Sequence, residues 1–293
     1  SHTEADFDAA LAELDALLPG DGDLPSRLQT LRNAYAIPKD RVDAVFRAAI
    51  DECRARTAKH FALPAGETFT VEYVQGKPWS AYNWYQGGSK SVIQVNDELP
   101  ILIDRAIDLA CHEGYPGHHA YNALLEQHLV RERGFVELSV YPLFSPQSLI
   151  AEGTANYGIE VAFPGDERAR FEREVLYPLA GLDPRSAERY DRALQILHRL
   201  DYAGNEAARR YLDGRIDAAA AADWLVRYAL MSPVRAQQRV GFFDTYRSYV
   251  INYNLGRDLV RAYVERESGG DPKRRWQVFE ALLSSPRLPS DLR

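Results

Sequence analysis

The residues with the clearest chemical potential lie in Ala110-Cys111-His112-Glu113-Gly114-Tyr115-Pro116-Gly117-His118-His119. The chain has seven histidines, and three of them fall in this stretch. Neutral imidazoles hold a divalent metal, and a neighbouring carboxylate can take a proton from the water that the metal activates. His112 and Glu113 begin as the zincin pattern His-Glu-x-x-His does, which sets two imidazoles one helical turn apart. Position 116, where the second histidine would stand, is proline.

Proline inside a helix removes a hydrogen bond and clashes with the carbonyl four residues back, here that of His112. The helix carrying His112 and Glu113 is therefore expected to bend, bulge or end near Pro116, and Gly117 can take whatever backbone angles this requires. On a straight helix His112 and His119 would share a face but lie about 10 Å apart along the axis. Zinc–nitrogen bonds of about 2.0–2.1 Å cannot bridge that rise. A Pro-Gly fold-back brings His118 or His119 beside His112; His118, directly after the glycine, is preferred as second ligand and His119 is the alternative. The third expected ligand is Glu152, in the helical run Leu149-Ile150-Ala151-Glu152-Gly153-Thr154-Ala155-Asn156-Tyr157. A carboxylate on so apolar a face is costly to bury unless it is paired or bound to a metal. Glu160, two turns on, ranks below it. Two histidines and a glutamate leave one zinc position open, as catalytic rather than structural sites do. The same set suits a non-haem iron or manganese enzyme, and a metal-stabilised helical binding protein without chemistry is a further alternative.

The stretch His-Glu-Gly-Tyr-Pro-Gly-His-His resembles the signature of the domain-of-unknown-function 885 family, relatives of the gluzincin metallopeptidases. Three other segments are similar to that family: Ser89 to Asn96 with Leu99-Pro100, Ala151-Glu152-Gly153, and Tyr253-Asn254-Leu255-Gly256-Arg257-Asp258-Leu259-Val260. The resemblance runs from about residue 70 to 293. It implies a mainly α, gluzincin-like helical metallopeptidase with a small antiparallel β-sheet beside the metal-binding helix. It further implies a zinc-dependent hydrolase of peptide or small amide substrates, with Glu113 as general base. Tyr253 and Arg257 then fall one turn apart on a C-terminal helix, where a tyrosine hydroxyl could serve an oxyanion and an arginine a substrate carboxylate. Asn96 closes the segment 91–96 that would pair with an extended substrate, so it is a candidate substrate contact. Without the resemblance, Tyr246, Tyr249 and Tyr253 read as an aromatic stripe packed in a core.

The scaffold for these residues is an ordinary globular chain. Its 293 residues are 46% hydrophobic and 26% charged, enough for one large domain or two modest ones. The net charge of −7 with scattered basic residues argues against a nucleic-acid surface, and no apolar run approaches the roughly 20 residues of a membrane span. Cys53 and Cys111 are far apart and are read as unpaired, Cys111 as a buried apolar residue. The chain begins Ser-His-Thr, so its first residues read as a scar or a processed end. A cytoplasmic location is the default expectation, with a removed export signal as the alternative.

Apolar spacing predicts helices over 4–18, 24–35 and 39–60, forming an N-terminal cover (1–65) over a catalytic domain (66–293). Residues 68–74, 81–85 and 91–95 alternate and are rich in β-branched and aromatic types, which predicts two or three strands. Helices are expected over 101–112, 120–133 and around Glu152, then over 165–180, 185–212, 217–230 and 233–267. His60, His128 and His198 read as surface or helix-end residues rather than ligands.

Overall fold

A computed structural model describes residues 2–77 and 79–293, and it is mainly helical with one small mixed sheet. α1 (Glu4–Leu17) opens on a capping box in which the Thr3 hydroxyl accepts from the Asp6 N–H and the Asp6 carboxylate accepts from the Thr3 N–H. α2 (Leu24–Ala34) starts from an Asp23 cap with proline in its first turn. α3 (Val42–Ala58) follows a 3-10 turn over Lys39–Arg41. The strands are β1 (Thr68–Val74), β2 (Ala81–Gly87) and β3 (Lys90–Asn96). α4 (Ile103–Leu109) then runs into a π-helical turn over Ala110–Gly114, and α5 (His118–Leu125) into another over Glu126–Arg131. α6 (Gln147–Ala162) carries Glu152; α7 (Glu167–Phe171) and α8 (Tyr177–Ala180) flank a third π turn. The rest is α9 (Ala187–His198), α10 (Asp201–Leu212), α11 (Ala218–Tyr228), α12 (Pro233–Tyr246), α13 (Ile251–Ser268) and α14 (Pro272–Leu283). No helix among the described residues is long and apolar enough to cross a membrane.

The chain divides into two compact units, Ser1–Tyr35 with Arg185–Asn254, and Ala36–Pro184 with Leu255–Arg293. The boundary expected at 65/66 falls inside the second unit. In the first unit, small residues let helices approach closely: Ala207, Ala208, Ala221 and Ala236 pack with Leu225, Val240 and Phe243. Phe7 of α1 is fully buried, with its ring 5.6 Å from that of Tyr228. In the second unit α6 is buried along most of its length, which is why its sequence is apolar or small on nearly every side.

Two features of this unit differ from expectation. The sheet is mixed, in the order β1-β3-β2, with β1 parallel to β3 and β2 antiparallel to it. β3 is therefore the central strand, buried at Ser91, Ile93 and Val95 on its inner face, and β2 is an edge. Residue alternation marks strands but carries no information on their order. Second, Cys53 and Cys111 form a disulfide, not two isolated thiols. Both are fully buried where α3 packs across the π turn, and a separation of 58 residues gives no hint of that contact.

The segment 233–267 also proves to be two helices. It breaks at Arg247, whose φ of 50° and ψ of −126° lie where non-glycine residues are rare, with no proline or glycine there to signal it.

Closing a loop of this length restricts the unfolded chain by about 4 kcal/mol on the chain-entropy account. Replacing both cysteines by alanine is expected to lower the denaturation midpoint accordingly, and a thiol assay of the unfolded, unreduced protein should find none free. Two free thiols would show the bridge to be absent.

Candidate metal centre

The geometry of the centre begins with the break in α4. The last regular turn ends at Leu109, and the π turn spreads the backbone over Ala110–Gly114 before the cis Tyr115-Pro116 bond. Gly117 then folds back so that its N–H donates to the Cys111 carbonyl at 3.0 Å. A Cβ on Gly117 would overlap the carbonyl oxygens of both His112 and Cys111, so no other residue fits. This reversal starts α5 at His118 and sets its ring edge-on to that of His112, with centroids 4.7 Å apart.

Glu152 reaches the pair from α6. Its Oε2 lies 3.4 Å from His112 Nε2, and its Oε1 lies 3.8 Å from His118 Nε2. One ligand atom from each of His112, His118 and Glu152 lies within 4.8 Å of the others. Tetrahedral zinc with bonds of about 2.0–2.1 Å holds its ligands about 3.4 Å apart, so small side-chain rotations suffice. Asn156, one turn after Glu152, places Oδ1 at 3.1 Å from His112 Nδ1. Nδ1–H donates there, which leaves Nε2 as the coordinating nitrogen. Close helix approach makes this reach possible: a Cβ on Gly153 would come within 2.5 Å of the Gly256 carbonyl oxygen.

The electrostatics suit a cation. Burial opposes charge on His112, but its Glu152 hydrogen bond and the charges of Glu113 and Glu152 outweigh it and raise the pKa to about 9. Burial lowers His118 to about 4, so this imidazole is neutral at ordinary pH. Glu113 is raised to about 7, chiefly by burial and further by Glu152. Its carbonyl accepts from Asn83 Nδ2 at 2.8 Å, tying the π turn to β2. The donor set, two imidazoles and one carboxylate in a pocket whose field holds positive charge, fits a divalent metal.

His119, the alternative ligand, lies elsewhere. Its Nε2–H donates to Glu67 Oε2 at 3.0 Å, and its Nδ1 pairs with Ser91 Oγ at 2.8 Å. Glu67 also accepts from Arg54 and from the Tyr115 hydroxyl. Both His119 nitrogens are thus engaged in a network that locks α5 to the sheet. Glu160 is likewise excluded, since it pairs with Arg261. Asn96, the candidate substrate contact, donates to the Lys77 and Trp79 carbonyls and braces the loop before β2. Arg257 pairs with Asp258 at 3.1 Å. Tyr253 belongs to the first unit, within 5.8 Å of the Tyr249 ring. Asn156, Asn83 and Glu67 were not anticipated; only Asn156, four residues after Glu152 on the same helical face, left a signal in the sequence.

No protein-family model matches the chain, and no curated protein does. The fold is shared with a crystal structure described as "the putative lipoprotein from Colwellia psychrerythraea", with a TM-score of 0.72 at 16% identity. That match covers 98% of this chain and 49% of the other, so the chain spans about half the length of its structural neighbour.

His118→Ala is expected to weaken zinc binding by more than about 100-fold, beyond the loss typical of an outer-shell partner. His119→Ala should keep the metal and lose thermal stability, because Glu67 and Ser91 are left without their shared partner. The reverse pattern would reassign the ligand. Since metal must displace the His112 proton below pH 9, its apparent affinity should rise about tenfold per pH unit between pH 6 and 8. A flat titration over that range would count against His112.

Proposed function

We propose that this protein is a zinc-dependent hydrolase of a peptide or related amide bond. The observation that carries this reading is the convergence of His112, His118 and Glu152, with the buried Glu113 carboxylate poised at about 7 beside them. The resemblance of the His-Glu-x-x-Pro-Gly-His-His stretch to gluzincin relatives supports it, and with it a gluzincin-like architecture for the second unit.

His112, His118 and Glu152 would hold the ion, and His112 would be kept in register by Asn156. Bound zinc supplies Lewis acidity and makes water a nucleophile near neutral pH. Glu113 does the proton work. Burial makes its carboxylate a stronger base than a solvated one, suited to take a proton from the attacking water and pass it to the leaving nitrogen. Its neighbour Asn83 holds the backbone of that residue still. β2 replaces segment 91–96 as the strand to which an extended peptide would add, because β3 has partners on both sides. The step derived from these residues needs neither Tyr253 nor Arg257.

The disulfide argues for an oxidising compartment in place of the cytoplasm. The net charge of −7 fits a substrate other than nucleic acid.

Glu113→Gln is the decisive variant. It should retain about one zinc per chain, as His112→Ala should not, while cleavage of a peptide library falls by about 100-fold or more. An active Glu113→Gln protein, or one that drops its metal, would overturn the role given to Glu113. Iron or manganese in the purified protein would redirect the reading to a different metal chemistry.

A further inference from the structure

The first unit holds a half-buried arginine without a carboxylate partner among the described residues. Arg27, Arg56, Arg105, Arg168 and Arg275 each meet a carboxylate oxygen at hydrogen-bonding distance. Arg239, on α12, has no carboxylate at salt-bridge distance among the described residues. Its guanidinium lies over the Phe242 ring, 4.5 Å from the centroid, and 5.7 Å from that of Phe243. Its Nε is buried and meets no acceptor. Burial pulls its pKa below the usual arginine value, with Tyr253 acting in the opposite direction.

Desolvating a guanidinium without a counter-charge is costly. With 42 acidic residues in the chain, a partner was available in composition but is not supplied in space. The Phe242 ring fixes the plane of the group and the covered Nε closes one edge. No acceptor among the described residues lies at hydrogen-bonding distance from its two terminal nitrogens, and such a pair can receive a carboxylate in two parallel hydrogen bonds. An aromatic series leads away from this pair. Phe242 stacks on Tyr246 at 4.4 Å, Tyr246 lies 6.1 Å from Tyr249, and Tyr249 lies 5.8 Å from Tyr253. The turn that continues this series from α12 to α13 is held at the unusual backbone angles of Arg247, and such angles cluster at ligand sites.

We propose that Arg239 anchors a binding site for a carboxylate borne on an apolar or aromatic body, with Phe242 and Tyr246 as its wall. Two sources carry that chemistry, the free C-terminus of a peptide and an acidic side chain beside an aromatic one. The site needs no metal and does not rest on the hydrolase reading.

Calorimetric titration of the full chain with N-acetyl-L-phenylalanine and with its amide tests the site, on metal-loaded and chelator-stripped protein. The acid should bind about tenfold or more tightly than the amide, before and after stripping. Arg239→Gln should erase that preference, and Arg239→Lys should keep part of it, with both variants checked for an unchanged melt. An amidated N-acetyl-aspartyl-phenylalanine distinguishes the sources: binding equal to that of the acid assigns a side-chain carboxylate, and weaker binding assigns a chain end. The proposal fails if the acid does not bind, or if Arg239→Gln binds it as wild type does. It also fails if binding disappears on stripping alone, which would put the carboxylate on the metal. That last outcome would leave the metal centre intact as a reading.

Discussion

The reversal at Gly117 is the constraint on which the candidate metal centre depends. A helix cannot place two histidines six residues apart around one ion, because its rise carries them too far from each other. The chain solves this by ending regular α-helix at Leu109, widening into a π turn and doubling back through Pro116 and Gly117. The backbone of Gly117 then occupies space against the His112 and Cys111 carbonyls that any side chain would need. Cys111, His112 and Glu113 all lie in this one irregular turn, and each is held from a different direction. The disulfide to α3 fixes Cys111, Asn156 of α6 fixes the His112 ring, and Asn83 of β2 fixes the Glu113 carbonyl. An irregular turn has few hydrogen bonds of its own, so its shape must be imposed by such neighbours.

Charge is handled in opposite ways at two buried places in the second unit. Around Arg168, the carboxylates of Asp108 and Glu172 and the Asp104 carbonyl meet one guanidinium, so the positive charge is surrounded by acceptors. Around His112 and His118, Glu113 and Glu152 bring two carboxylates toward imidazoles, one of which stays neutral at ordinary pH. The first arrangement is balanced by the protein itself, and its residues are fixed. The second is balanced by whatever cation enters, a proton on His112 in the bare protein. That difference separates a structural ion cluster from a centre able to take a metal.

Much of the centre was legible in the sequence because its causes are local. Pro116 must break the helix and Gly117 must permit the turn, so a fold-back near His118 follows from covalent geometry alone. Glu152 stood out because an acid on an apolar helical run needs a reason. What stayed hidden depends on contacts between distant segments. His118 and His119 both follow the glycine, and only the buried Glu67 and Ser91 show that His119 is taken up by the sheet. The disulfide, the central place of β3 and the break at Arg247 are of the same kind. Most helices up to α11 follow their apolar spacing, since amphipathic period is written in each segment, although the run expected over 185–212 divides into α9 and α10. α14 was not anticipated, although an Asp271 cap and the following proline announce it.

The bridge from Cys53 to Cys111 also makes a covalent ring of the chain between them. All three strands lie inside that ring, and His112 is the first residue beyond it. A protease that cut the turn at Gly87–Gly88 would therefore open the ring without releasing a fragment. The strands, α3 and the histidine helix would remain one molecule, held at the point where the centre is built. A nick of this kind would be survivable damage.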